Sequence, residues 1–263
     1  MRLLIRFATL HLGLTLSMFV VALLALPLRA AEPLHLVTQE FPPFSYQQNG
    51  VISGLAPTLV QRICAEMQRE CTMEIMPWRR AQEAVRLGRF DGMFLIGHTP
   101  ERERWLHFSP PIVATEYGLF VRADDPLQFR QPADLAGYRV AVYGPSGTSH
   151  SLEALSREVA IEINLYPDAE PGFRQLPVGR VDAVYSNRMV GEALITRLRL
   201  SGIRYAGRHR RLNYFVGFSR ASVPAATVTA FAQAWQRLKH RGELDVLFQQ
   251  YGVETHRERY SAR

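Results

Sequence analysis

Two stretches of this chain echo each other: residues 87–94 read LGRFDGMF and residues 178–185 read VGRVDAVY. Each has Gly-Arg, an apolar residue, Asp, a small residue and more apolar residues, and Gly88 and Gly179 are 91 positions apart. One glycine before a strand is ordinary punctuation. Here the surroundings repeat as well. Before the first stretch, LHLVT (34–38) alternates as a strand and runs into the Pro-rich loop QEFPPFSY. Behind Pro57, residues Leu59, Val60, Ile63, Cys64 and Met67 recur at helical spacing. A strand is then expected over 72–76, a helix over 79–87 and a strand over 91–96. Before the second stretch, RVAVY (139–143) is a strand, GPSGTS opens a helix to about Arg157, and IEINLY (161–166) is a strand. VDAVY (181–185) follows, with a further helix behind it. Strands alternating with helices predict an α/β fold with a largely parallel sheet. The repetition predicts two related lobes.

The connections complete this picture. Gly118–Pro126 leaves the first lobe and Arg211–Arg220 returns from the second, and both read as extended segments, as a two-stranded hinge requires. A C-terminal helix places Val228, Phe231, Ala232, Trp235 and Leu238 on one face, expected to pack back on the first lobe. The expected organisation is residues 32–120 and 213–263 for the first lobe, with 121–212 inserted as the second. Such a clamp closes on what binds between the strand-end loops.

The N-terminus carries an export pattern. MRLLIR is basic, an apolar run extends from Phe7 to Leu28, and LRAAE supplies small residues for cleavage after Ala30 or Ala31. The run is 22 residues, long enough to span a bilayer if left uncleaved. The Ala pair favours a signal peptide over 1–31 and a periplasmic body. The formal charge is +7, and removing Arg2, Arg6 and Arg29 leaves +4. Short basic runs such as RHRR (208–211) lack an aromatic platform and read as solvated surface, not as a nucleic-acid site.

Cys64 and Cys71 are the two cysteines of the chain. Cys64 is either a small core residue on a helix or one end of a disulfide that clamps that helix to the strand starting at Cys71. Export to an oxidising compartment favours the bridge. No His or further Cys sits at zinc-ligand spacing, so no metal is expected.

Among the loops expected at the cleft, Gly97-His98-Thr99-Pro100-Glu101-Arg102 is the most informative. A guanidinium fork matches a carboxylate with two parallel hydrogen bonds and keeps its charge. The alternative is a surface pair with Glu101 or Glu103, where such pairs contribute little. Phe41 and Trp78, beside prolines and charges, are candidate flat walls, whereas Phe44 reads as core. Gly147, Thr148 and Ser149 open a helix and offer N–H groups and hydroxyls to an anion, or simply cap it. GPSGTS lacks both the Gly-x-Ser-x-Gly elbow and a Walker lysine. No Cys-His or paired-carboxylate set is legible. His98 and His150 fall near the expected cleft.

From about Leu34 to Val253 the chain resembles the periplasmic solute-binding proteins of amino-acid ABC transporters, solute-binding protein family 3. The resemblance rests on FPPF after the first strand, then GRFDGMF, TPERERWLHFSPPI, DLAGYRVAVYGPSGTS, LPVGRVDAVYSN and a C-terminal helix pair ending LFQQYG. It implies a type II periplasmic-binding fold that closes on a small carboxylate-bearing ligand and delivers it to an ABC-type permease in the inner membrane, as a monomer without cofactor. By position it implies Arg102 on the ligand's α-carboxylate, Phe41 stacked over it, Trp78 against its body, and Thr148 and Ser149 bonding from the second lobe. Glu40, Gly97, Thr99, Gly147 and Asn187 complete the expected lining. Some members carry a disulfide at the Cys64–Cys71 spacing, which implies the same bridge here.

Two positions depart from the family pattern. Asn187 stands where amino-acid binders usually have an Asp for the ligand's ammonium, with Glu40 the nearest candidate to replace that charge. FLIGH stands where the loop before Thr99 is usually rich in Ser. Arg79, Arg80 and Arg188 would suit a more anionic ligand. A lyase on the same fold, similar to cyclohexadienyl dehydratase, would need an acid or base, and Glu40 and the histidines are what remains for it. A ligand-sensing subunit would need a separate receptor.

Overall fold

The computed structural model describes residues 32–251 and 253. The expected signal peptide over 1–31 lies outside them. The chain from Pro33 onward forms one unit, built on a nine-stranded sheet.

β1 (Leu34–Thr38), β4 (Cys71–Ile75) and β5 (Gly92–Gly97) form the sheet's first part, with β1 parallel to both neighbours. α1 (Leu55–Glu66) and α2 (Trp78–Arg86) connect them. A hairpin of β2 (Tyr46–Gln48) and β3 (Val51–Ser53) precedes α1. The expected helical face is buried through Leu59, Val60, Ile63 and Cys64, while the helix starts at Leu55, two residues before Pro57. Cys64 and Cys71 are joined by a disulfide, with Cα atoms 6.1 Å apart, and tie α1 to the first residue of β4.

The second part repeats the plan. β8 (Arg139–Tyr143) is parallel to β9 (Glu162–Tyr166) and β10 (Ala183–Asn187). α4 (Gly147–Leu155), α5 (Glu170–Gln175) and α6 (Arg188–Arg197) complete it. α3 is the short turn of helix Pro100–Glu103, and β6 is Leu106–Phe108.

Two long strands hold the parts together. β7 (Val113–Arg122) and β11 (Ile203–Ser219) pair antiparallel from Tyr214↔Val113 to Ile203↔Arg122. β11 also pairs with β5, and β7 with β10, so the sheet order is β4-β1-β5-β11-β7-β10-β8-β9, with β6 added on β11. The hinge strands are longer than the extended segments read from sequence. The result is a two-lobed α/β clamp.

The sequence echo is one device built twice. Gly88 and Gly179 both take a left-handed conformation, with φ of 70° and 71°, which glycine adopts without penalty. Two residues beyond each Arg, Asp91 and Asp182 cross to the neighbouring strand. The Asp91 carboxylate accepts from the His35 N–H of β1 and the Asp182 carboxylate from the Arg139 N–H of β8, both at 3.0 Å. Each Asp N–H also donates to the carbonyl of that same residue at 2.8 Å. Glycine stops the helix and aspartate sets the register of the next strand.

α7 (Ala225–His240) and α8 (Glu243–Gln250) close the first lobe against α1. α7 buries Phe231, Trp235 and Leu238 as expected, but with Ala234 in place of Ala232. Glu66 at the end of α1 anchors them, accepting from Arg237 at 2.5 Å and Arg241 at 2.6 Å. Among the described residues no helix is long and apolar enough to cross a membrane.

Candidate functional site

The site forms where the C-terminal ends of β1, β5, β8 and β10 meet the two hinge strands. Arg102 is its charged centre. Thr99 caps α3 by accepting the Arg102 N–H at 3.3 Å. The half-buried guanidinium turns back to donate to the Gly97 carbonyl at 2.8 Å and to Gln82 Oε1 at 3.3 Å. Both acceptors are neutral. No carboxylate lies within 4.0 Å of it among the described residues: of the two expected surface rivals, Glu103 pairs with His98 at 2.7 Å and Glu101 is exposed on α3. Burial pushes the Arg102 pKa down, opposed by nearby Tyr117, Glu101 and Tyr214. A cation held in that setting, with N–H groups to spare, has the chemistry to accept an anionic partner.

The floor comes from the hinge. Tyr117 of β7 and Tyr214 of β11 bring their hydroxyls to 3.3 Å, and both are buried. Asn187, only 1% exposed, joins them: its Nδ2 donates to Thr115 Oγ1 at 2.9 Å and to the Tyr214 hydroxyl at 3.4 Å. Its Oδ1 accepts from the Met189 and Val190 N–H groups at 3.0 and 3.3 Å, capping α6. Burial raises the Tyr214 pKa well above the ordinary phenol value, so this hydroxyl stays protonated at neutral pH.

Phe41 supplies a wall, stacked on Phe44 with centroids 5.7 Å apart and meeting Tyr214 edge-on at 6.0 Å. Trp78 is placed differently from the loop expected for it. It is the first residue of α2, packed in an apolar cluster with Val37, Met93 and Ile96.

From the second lobe, Gly147 approaches Tyr117 closely: a Cβ on it would lie 3.5 Å from that hydroxyl. The α4 cap is Ser146, whose Oγ accepts the Thr148 and Ser149 N–H groups at 3.1 and 3.2 Å. The Ser149 hydroxyl is consumed in the same box, accepting from the Ser146 N–H and donating to its carbonyl. Those backbone donors are therefore occupied, and the Thr148 hydroxyl and the Gly147 N–H are the polar groups of this turn without an internal partner among the described residues.

The loop after β1 places Glu40 away from the cleft. Glu40 is exposed and accepts from the Gln47 N–H at 3.2 Å. Gln39, one residue earlier, faces the second lobe and accepts from the Tyr143 hydroxyl at 3.1 Å. The two histidines also move away. His98 packs edge-on against Phe108 at 4.6 Å and lines a hollow of about 480 Å³ with Glu103, His107 and Arg220. His150 is exposed on α4.

Sequence reading missed Gln39, Thr115, Tyr117 and Tyr214. The two tyrosines are 97 residues apart and meet only because β7 and β11 pair. The available hint was that Tyr214 lies within one extended connection assigned to the hinge and Tyr117 directly before the other.

Comparison with known proteins accords with this fold. The chain is 22% identical over 159 residues to the L-cystine-binding protein TcyJ of Escherichia coli (strain K12), covering 60% of this chain and 59% of that protein. Thus the chain spans about 60% of the length of that curated relative. Among solved structures, a histidine kinase sensor domain with similarity to periplasmic binding proteins superposes with TM-score 0.75 at 21% identity, covering 85% of this chain and 96% of that one. An ancestral arginine-binding protein bound to arginine gives TM-score 0.75 at 20% identity, covering 85% and 99%. At these identities the structures speak to the fold. The family model of bacterial extracellular solute-binding proteins, family 3, matches residues 35–254, nearly the whole body of the chain, and the protein belongs to that family.

Proposed function

We propose that this protein is an exported solute receptor that closes on a small carboxylate-bearing ligand and hands it to an ABC-type permease. The observation that carries this reading is Arg102, half-buried at the cleft, hydrogen-bonded to two neutral oxygens and without a carboxylate partner among the described residues. The ligand's carboxylate supplies the missing charge, with Phe41 as its wall and Thr148 bonding from the opposite lobe. Trp78 serves this site from behind, by fixing the start of α2. The segment 121–212 is the moving lobe, and the receptor acts as a monomer in the periplasm after loss of residues 1–31. The L-cystine-binding relative and the ancestral arginine-binding protein are both amino-acid binders, which supports a binding role over the lyase alternative.

Thermal unfolding with a panel of amino acids, hydroxy acids and dicarboxylates tests this. A ligand at about 100 times its Kd adds about 2.7 kcal/mol of stability, which for a chain of this size is a shift of roughly 5 °C or more. Arg102→Ala is expected to abolish the shift, since two charge-assisted hydrogen bonds at about 1.5–3 kcal/mol each correspond to about a hundredfold or more in Kd. A ligand that stabilises the wild type and Arg102→Ala equally removes the carboxylate grip.

A further inference from the structure

We infer that the cleft selects small carboxylates that carry no ammonium group, a refinement that rests on the Arg102 grip. Tyr117 and Tyr214 neighbour the Arg102 guanidinium and Asn187 bonds to Tyr214, so an ammonium on the carbon next to a carboxylate gripped by Arg102 would lie beside these groups. A desolvated ammonium needs a counter-ion or a full set of acceptors. The floor offers neutral groups only: Thr115, Tyr117, Asn187 and Tyr214.

Asn187 is the decisive one. Its oxygen is held by two backbone N–H donors, which fixes the orientation of the amide. What it turns toward Thr115 and Tyr214 is its NH2, a donor. An ammonium arriving there would meet a donor, whereas a hydroxyl, carbonyl or methylene would not be penalised.

The carboxylates around the rim are engaged or outside. Glu116 binds Arg188 at 3.4 Å, Arg208 at 3.7 Å and the Tyr205 hydroxyl at 3.2 Å. Glu103 is paired with His98. Glu101 lies exposed on α3, Glu40 is exposed and turned to the Gln47 N–H, and Asp168 beyond β9 is exposed and accepts the Glu170 N–H at 2.9 Å. The charge that dominates the cleft is the Arg102 cation.

Matched triads decide the matter, using the protein as purified from a secreting host: L-phenylalanine, 3-phenyllactate and 3-phenylpropionate; L-leucine, 2-hydroxyisocaproate and 4-methylvalerate; L-glutamate, 2-hydroxyglutarate and glutarate. Calorimetry and melting shifts are expected to show the amine-free members of at least one triad binding at least about tenfold tighter than the amino acid. Asn187→Asp, which still caps α6 because Asp is as good a cap as Asn, is expected to reverse that order, the Thr115 and Tyr214 hydroxyls turning to donate. Its own melting temperature reports that it folds. An amino acid that binds the wild type as tightly as its hydroxy analogue overturns the inference, and loss of that binding in Glu40→Gln would name the counter-ion. An unchanged order in Asn187→Asp overturns it too. If amino acids and analogues bind alike and both need Arg102, this inference alone falls. If no member of any triad binds, the carboxylate grip falls with it.

Discussion

Asn187 shows how one side chain serves both fold and site. Its oxygen caps α6 and its nitrogen braces the hinge hydroxyls. Asn187→Ala removes the cap, which costs about 0.5–2 kcal/mol, and leaves the buried Thr115 without its donor. Urea unfolding is expected to show a loss at the upper end of that range, and Asn187→Asp a much smaller one. A loss within error for the alanine variant would mean that the cap is not formed in solution. Arg102 was legible because its position after a strand and its chemistry point the same way. Tyr117 and Tyr214 were not, because a phenol on an apolar strand reads as core until its partner strand is known. The neighbouring Gln39 and Glu40 show the sharper limit. A loop residue's charge is visible in sequence, but the path of the loop beyond β1 decides which of two neighbours faces the second lobe.

At the scale of elements, the repeated Gly-Arg-x-Asp corner makes a paired prediction. A Cβ at Gly179 meets nothing within 4 Å, so Gly179→Ala carries only the left-handed backbone penalty, about 1–2 kcal/mol. At Gly88 the new Cβ would lie 3.2 Å from the Ala221 Cβ, so Gly88→Ala is expected to cost more. Equilibrium unfolding of both variants checks the order, and a neutral Gly179→Ala would discount the corner. Most elements were readable because helical and strand periods were strong, as in Arg139–Tyr143, where expectation and structure coincide. Ends drifted by a residue or two, since caps and tertiary packing set them. The β-bulge between Phe215 and Val216, with Leu95 at φ 64° opposite, left no sequence trace, yet it lies in the strand that delivers Gly97 to Arg102. Leucine disfavours that conformation, and such irregularities gather beside binding sites.

For the whole molecule, Glu66 links the last two helices to the first. Hydrogen bonds from Arg241 and then Arg237 hold its carboxyl at a pKa of about 2, below its ordinary 4.5. A depressed folded pKa contributes stability above about pH 4.5 that is lost as pH falls toward 2. Glu66→Gln is therefore expected to melt below the wild type at pH 7, with the gap narrowing across that window. A gap independent of pH would assign the effect to packing. The alternation of strands and helices was legible in the element pattern, but the sheet's unbroken passage through β7 and β11 was not, because that pairing joins residues far apart in sequence. That passage has a consequence for motion. A clamp joined by loose linkers would expose its crossing points each time it opened, whereas here the crossing is a hydrogen-bonded ladder from Val113 to Arg122 against β11. Opening becomes a change of twist, so backbone amides paired along that ladder are expected to exchange with deuterium slowly, and at nearly the same rate with and without ligand, while the loops they carry gain protection on closing.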